Sequence, residues 1–312
     1  MNSKLEILSY FPIRIANELE KYIDEITYKQ LEEIRIRVNR PIILRFNNKE
    51  KQLSYYISGQ DISEIMQYLC ENSIYAYQNQ ICNGFITIKG GHRVGITGNV
   101  VVKDEKIINI NYISSLNFRV AKQIIGAADE LLKHILKLEE NTIYNTLILS
   151  SPGAGKTTIL RDIIRQISNG IQEYNFRGIT VGLVDERGEI ASMYKGELQN
   201  NMGIRTDVLD NISKSEGLKM LIRSMSPKVI STDEIGTEED IQAINYGICC
   251  GIRGIFTAHG ENLKDIELNP ILNKLLKNKI FDKIIFLSEV KKGSIKKIYK
   301  LERKTGEYFL IN

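Results

Sequence analysis

One stretch constrains this chain more than any other: Ser150-Ser151-Pro152-Gly153-Ala154-Gly155-Lys156-Thr157-Thr158. The apolar run Thr146-Leu147-Ile148-Leu149 leads into it, and the helical pattern Ile159-Leu160-Arg161-Asp162-Ile163-Ile164-Arg165 leads out. Gly153 and Gly155 let the backbone curl tightly, so that several N–H groups converge on one anion. The helix behind adds its positive end. Strand, Gly-rich loop, Gly-Lys-Thr-Thr and helix together form the layout of a phosphate-binding P-loop. On this reading Ser151, Pro152, Gly153, Ala154, Gly155, Lys156, Thr157 and Thr158 cradle a nucleotide. Lys156 reaches the β- and γ-phosphates, and Thr157 holds Mg²⁺. The motif usually begins with a Gly where this chain has Ser150 and Ser151. The cradle depends mainly on the loop beside the lysine, so the change leaves its logic intact.

The length of 312 residues favours two domains, and an apolar content of 43% supplies real cores. A net charge of +4 singles out no partner class. Nucleic-acid binders carry a stronger or more clustered basic excess. Cys70, Cys82, Cys249 and Cys250 have no zinc spacing and read as free thiols of a reducing cytoplasm. No apolar run approaches the ~20 residues that span a bilayer. Met1-Asn2-Ser3-Lys4-Leu5-Glu6 lacks the apolar core of a signal peptide. The expectation is a soluble, cytoplasmic chain that meets a membrane only through partners.

The fold class reads as α/β: a C-terminal domain (126–312) with a mainly parallel sheet, preceded by a smaller α+β domain (1–125). In the smaller domain a pair of helices flanks Pro12, the second over Arg14 to Ile26. Ile34, Ile36 and Val38 then alternate with Arg35 and Arg37, as in a half-buried strand. Asn39-Arg40-Pro41 and Asn47-Asn48 turn the chain into a meander through Ile57. Asp61 and Glu64 read as a capping box opening a helix through Leu69. A helix over Ser73 to Cys82, a hairpin at Phe85 to Ile96, and strands at Val100 to Val102 and Ile113 to Val120 complete an antiparallel sheet. After a helix over Asp129 to Leu138, strands and helices alternate. Strands are expected at 146–149, 179–184, 228–232, 254–257, 283–288 and 296–301, and helices at 156–168, 215–224 and 237–250.

A P-loop site needs an acid at the end of a neighbouring strand to hold the Mg²⁺ water shell. Two stretches qualify, Val181-Gly182-Leu183-Val184-Asp185-Glu186 and Val229-Ile230-Ser231-Thr232-Asp233-Glu234. The second is favoured as Walker B, with Asp233 on the metal shell and Glu234 orienting or deprotonating the attacking water. His259, in Thr257-Ala258-His259-Gly260, follows a further strand and is a candidate γ-phosphate sensor.

Gly-Lys-Thr-Thr, Val-Asp-Glu, Asp-Glu-Ile-Gly and Thr-Ala-His-Gly, in this order, resemble the type II and type IV secretion ATPases, whose C-terminal domain is RecA-like. Further stretches resemble the stage III sporulation AA family within that group. They are Leu31 to Arg37, Gly90-Gly91-His92-Arg93-Val94-Gly95, Val184 to Ala191, Arg205 to Asp210 and Leu221 to Pro227. The resemblance implies an ATP hydrolase using ATP and Mg²⁺, a homo-hexamer, and membrane-embedded sporulation channel proteins as partners on the mother-cell side, with no direct nucleic acid. Closure of the two domains on ATP would drive the work. It places Glu186 in an Asp box, Glu234 in Walker B and His259 in a His box. It also gives Arg93 and Arg119 a role at the nucleotide. Arg187, Arg205, Arg223 and Arg253 are further candidates. A DNA motor of similar core, using Lys291-Lys292-Gly293-Ser294-Ile295-Lys296-Lys297, and a non-hydrolysing ATP-binding scaffold are the alternatives.

Overall fold

Alternation of apolar and polar residues builds the first sheet, and unbroken apolar runs build the second. The structure is a computed structural model and describes residues 3–47 and 49–311. The expected turn at Asn47-Asn48 therefore lies partly outside the described residues, as do Met1 and Asn2 of the N-terminal stretch. The chain divides into two compact units, residues 1–122 with 192–200, and residues 123–191 with 201–312.

In the first unit, α1 (Ser3–Leu8), α2 (Ile13–Glu20) and α3 (Glu25–Tyr28) precede β1 (Leu31–Arg37), β2 (Pro41–Phe46) and β3 (Lys49–Tyr56). The single helix expected over Arg14 to Ile26 is thus two. The Asp24 carboxylate accepts from the N–H groups of Ile26 and Thr27 and restarts the helix. Ile15, Leu19 and Ile23 are buried as the spacing predicts, but Ile26 is exposed. Helix α4 (Gly59–Leu69) follows, then α5 (Gln78–Cys82), with a 3₁₀ turn at Ile74–Tyr77 where a continuous helix was expected. The cap of α4 is Ser58 rather than Asp61. Asp61 sits at the third helical position, where its carboxylate accepts from the Ser58 N–H at 2.8 Å. Strands β4 (Phe85–Thr87), β5 (Arg93–Lys103) and β6 (Lys106–Arg119) complete an antiparallel sheet of order β3-β2-β1-β6-β5-β4. Ile34 pairs with Leu44 and Phe118, all fully buried, so one sheet face forms the core with the helices.

The second unit opens with α6 (Asp129–Ile135), shorter than expected. Its chain continues into a small antiparallel pair, β7 (Leu136–Lys137) and β8 (Thr142–Ile143). Next come β9 (Thr146–Ser150), α7 (Lys156–Asn169), a second small pair, β10 (Gly170–Ile171) with β11 (Phe176–Arg177), and β12 (Val181–Asp185). A hairpin, β13 (Met193–Tyr194) and β14 (Glu197–Leu198), falls in the segment that belongs to the first unit. The chain then forms β15 (Thr206–Asp210), α8 (Lys214–Met225), β16 (Val229–Thr232), α9 (Glu238–Cys249) and β17 (Arg253–His259). Helices α10 (Leu263–Leu268) and α11 (Pro270–Lys277) lead to β18 (Lys283–Leu287), β19 (Ile295–Glu302) and β20 (Glu307–Leu310).

The sheet order is β15-β12-β16-β17-β9-β18-β19-β20, parallel from β15 to β18 and antiparallel at its last two pairings. Every residue of β9, β12 and β16 is buried. Ile148 and Leu183 pack with Ile159, Ile163 and Ile167 of α7, whereas Leu147, Leu149 and Ile230 pack with Leu218 of α8 and Ile244 of α9. Helices on both faces explain why these strands read as continuous apolar runs. Ser231, which interrupts the run in β16, is buried with its hydroxyl donating to the Ile255 carbonyl at 2.8 Å.

Candidate functional site

Parallel strands end together, and here five of them end in polar groups. Register pairs Ser150 with His259 and Asp185 with Asp210, and β16 stops at Thr232 immediately before Asp233. Ligands of open α/β sheets bind at this carboxyl edge.

The loop between β9 and α7 turns through Gly153 (φ 78°) and Gly155 (φ 98°), values that side-chain-bearing residues rarely adopt. Lys156, the first residue of α7, is buried. Its ammonium donates to the carbonyls of Ser150 at 3.0 Å and Ser151 at 3.1 Å, and to Ser150 Oγ at 3.2 Å. His259 Nδ1 lies 3.3 Å away. Burial lowers the Lys156 pKa, while the nearby Glu234 carboxylate pulls it up.

Glu234 is held in an unusual way. Its backbone is left-handed (φ 45°), a conformation costing a non-glycine residue about 1–3 kcal/mol. Thr257 of β17 holds it there: Thr257 Oγ1 accepts from the Glu234 N–H at 2.9 Å, and the Thr257 carbonyl accepts from Ile235 at 2.8 Å. The turn delivers Glu234 Oε1 to within 3.3 Å of His259 Nε2 and Oε2 to within 3.4 Å of Arg187. Lys156, His259, Glu234 and Arg187 therefore form one chain of contacts.

The other acid pair is divided by role. The Asp185 carboxylate is fully buried and accepts from the N–H groups of Glu189 (2.8 Å), Ile190 (3.0 Å) and Ala191 (2.8 Å). Arg161, also buried, donates to the carbonyls of Ile190 and Glu189, both at 2.6 Å. Asp185 thus folds its own loop. Glu186 faces outward and pairs with Lys214 at 2.9 Å.

Asp233 is buried, and its pKa is pushed up to about 6 by burial and then by the Asp185 charge, with Lys214 opposing. No group of three or more His, Cys, Asp or Glu arranged to hold a metal occurs among the described residues. Magnesium in nucleotide sites keeps several waters and takes one or two protein ligands. Thr157 and Asp233 suit that demand. The crowding of Asp233 by Asp185, Glu234 and Glu189 is the kind of field a divalent cation relieves.

The remaining arginines separate. Arg205 donates to the Ser168 carbonyl at 2.9 Å, and Arg253 lies 3.9 Å from both Asp282 and Glu140. Arg223 is exposed on α8. Arg93 and Arg119 belong to the first unit, opposite each other on β5 and β6, with the Arg93 guanidinium 3.9 Å from the Phe85 ring. Sequence reasoning missed Lys214, Thr257 and Arg161. Their contacts come from neighbouring elements in space; Thr257 opens the Thr-Ala-His-Gly stretch, but nothing in those letters marks its hydroxyl as the support of Glu234, and no local motif marks Lys214 or Arg161.

Comparison with known proteins agrees with this architecture. The stage III sporulation protein AA of Bacillus subtilis (strain 168) is 39% identical over 307 residues, covering 96% of this chain and 98% of that protein. The solved Legionella pneumophila ATPase DotB superposes with a TM-score of 0.59 at 14% identity, over 95% of this chain and 82% of DotB. The pilus retraction motor PilT with bound ADP gives a TM-score of 0.58 at 16% identity, over 90% and 77%. These two likenesses establish the fold: a RecA-like domain preceded by a smaller antiparallel-sheet domain. No helix among the described residues is long and apolar enough to cross a membrane. The family description "Sporulation stage III, protein AA" matches residues 1–306, and the chain belongs to that family.

Proposed function

We propose that this chain is an ATP-hydrolysing motor of the secretion-ATPase type, serving the sporulation machinery by powering or assembling a trans-envelope channel complex. The observation that carries the reading is the chain of contacts from Lys156 through His259 to Glu234 at the ends of adjacent strands. The P-loop backbone from Ser151 to Gly155 and the amine of Lys156 bind the phosphates. Thr157 and Asp233 would hold Mg²⁺, which supplies positive charge against the phosphate oxygens. Lys156 leaves the Ser150 and Ser151 carbonyls when it meets phosphate. Glu234 orients the attacking water and takes its proton. His259 keeps Glu234 in register with the P-loop, and Arg187, 3.4 Å from Glu234, adds a second positive charge beside that acid. Glu186 and Lys214 flank the same edge.

The working form is proposed to be a homo-hexamer, with Arg93 and Arg119 as further nucleotide contacts, cytoplasmic and tethered through membrane-embedded partners. An arginine completing a phosphoryl-transfer site raises turnover by roughly 10³–10⁵-fold, so activity should depend on assembly. Phosphate release from Mg-ATP across a protein concentration series tests this reading. Turnover per chain should rise as the oligomer forms. Turnover that is absent at every concentration, with ATP still bound, would favour the scaffold alternative.

A further inference from the structure

Strands β1 and β5 flank β6 in the first unit, and the proposed hydrolysis gives Arg35, Arg37 and Gly95 no part. Alternation decides which way these positions face. Ile34, Ile36, Val94 and Leu116 fill the core, so Arg35, Arg37, Gly95, Thr97, Ser115 and Asn117 lie on the other side of the sheet. Register sets them in two rows: Arg35, Asn117 and Gly95 in one, Arg37, Ser115 and Thr97 in the next. A cavity of about 280 Å³ lies over these rows, and no acidic residue is among those that line it. Its volume is at the lower end of the ~300–1,000 Å³ of small-molecule sites, which suits a small ligand.

Gly95 keeps the cavity open. A Cβ there would meet nothing nearer than Asn117 at 3.9 Å, so no crowding demands a glycine. Glycine inside a strand weakens it and often marks a place where a ligand approaches the backbone. The charge in the cavity is positive. Arg35 Nε donates to Glu33 at 2.6 Å, which engages one of its N–H donors, whereas the half-buried Arg37 makes no ion pair among the described residues. A guanidinium fork matches the oxygens of a phosphate. Thr97 and Ser115 hydrogen-bond to each other through their hydroxyls, which can turn towards a ligand. Asn117 Oδ1 is buried there and accepts from no donor among the described residues. Unmet polar groups of this kind accompany bound water or ions.

We propose that this cavity binds a small phosphate ester, with Arg37 and Arg35 holding the phosphate, the Thr97 and Ser115 hydroxyls completing its contacts and Gly95 giving it room. The site is built entirely within the first unit, and neither Arg93 nor Arg119 lines it. It is therefore a second anion site, independent of the nucleotide reading of the P-loop.

The probe is glycerol 3-phosphate, titrated calorimetrically into the full chain with excess Mg-ADP present to occupy the P-loop. It should bind saturably, and glycerol, which lacks the charge, should not. Arg37→Gln should weaken the probe about tenfold or more, as loss of a charge-assisted contact does. Gly95→Val places a strand-favouring side chain in the cavity and should weaken the probe as much, with an unchanged melting temperature. Lys156→Ala should leave probe binding as in the wild type. Absence of saturable binding would overturn the assignment, as would binding that survives both Arg37→Gln and Gly95→Val. Loss in Lys156→Ala alone would place the probe at the P-loop and overturn it too.

Discussion

His259 Nε2 stands 3.3 Å from Glu234 Oε1, so one imidazole joins the strand beside the P-loop to the acid that ends the next strand. Its Nδ1 is 3.3 Å from the Lys156 ammonium. The two contacts make the imidazole a spacer between the group proposed to bind phosphate and the group proposed to activate water. His259→Ala should lower kcat by about 10- to 100-fold, less than loss of the general base itself (~10²–10⁴-fold) because only its alignment is lost, and change ATP affinity little. Steady-state phosphate release beside equilibrium ATP binding checks the split. A loss confined to binding would count against the spacer role.

In the proposed function Lys156 contributes the charge that faces the phosphates. A hydrogen bond to a charged group is worth about 1.5–3 kcal/mol, so Lys156→Ala should weaken ATP binding at least ~10-fold. Calorimetric titration with Mg-ATP gives the answer. Wild-type affinity in this variant would show that the Gly153–Gly155 loop is a turn without a ligand.

Thr257 acts through the backbone of Glu234. Its hydroxyl accepts the N–H of a residue held at φ 45°. Thr257→Val removes that acceptor, and turnover should fall about tenfold, the equivalent of one ordinary hydrogen bond of ~1 kcal/mol or slightly more. ATP affinity should hold, and Thr257→Ser should restore turnover. Equal losses in the Val and Ser variants would indicate a packing effect instead.

His92 sets a pH limit on the first unit. Its ring is 2% exposed, Nδ1 accepts from the Ala121 N–H at 3.0 Å, and burial pushes its pKa down to about 4. The unfolded chain takes up a proton near pH 6.5, and the folded one only near 4. The neutral ring therefore contributes full stability above pH 6.5, and that contribution is lost as pH falls towards 4. The loss amounts to about 3 kcal/mol at most. Denaturant titrations from pH 7.5 to 4.5 should show this slope, and His92→Gln should flatten it. An unchanged slope in the variant would assign the effect to other groups.

Much of this was legible in the residues because the signals were local. The P-loop announces itself by Gly-Lys-Thr-Thr between strand and helix. The buried parallel strands announce themselves by runs such as Val229 to Thr232. Caps were legible in kind but not always in place. Ser58 and Asp61 satisfy each other reciprocally, so the sequence supports either as the cap, and only the backbone geometry of Ser58 decides. Strand β15 escaped notice because Thr206-Asp207-Val208-Leu209-Asp210 is partly exposed at the sheet edge and carries only two large apolar residues. Within the Val-Asp-Glu stretch, nothing in the letters separates a carboxylate that folds its own loop, Asp185, from one that faces outward, Glu186. Three backbone N–H groups make that distinction.

Glu234 is the residue proposed to convert bound ATP into released phosphate. The direct measurement is Glu234→Gln, assayed for Mg-ATP affinity and phosphate release in the same assembled protein. Wild-type affinity is expected, with turnover reduced by roughly 10²–10⁴-fold. Phosphate release at the wild-type rate would contradict it, and the same loss appearing instead in Glu186→Gln would move the catalytic acid to the neighbouring strand.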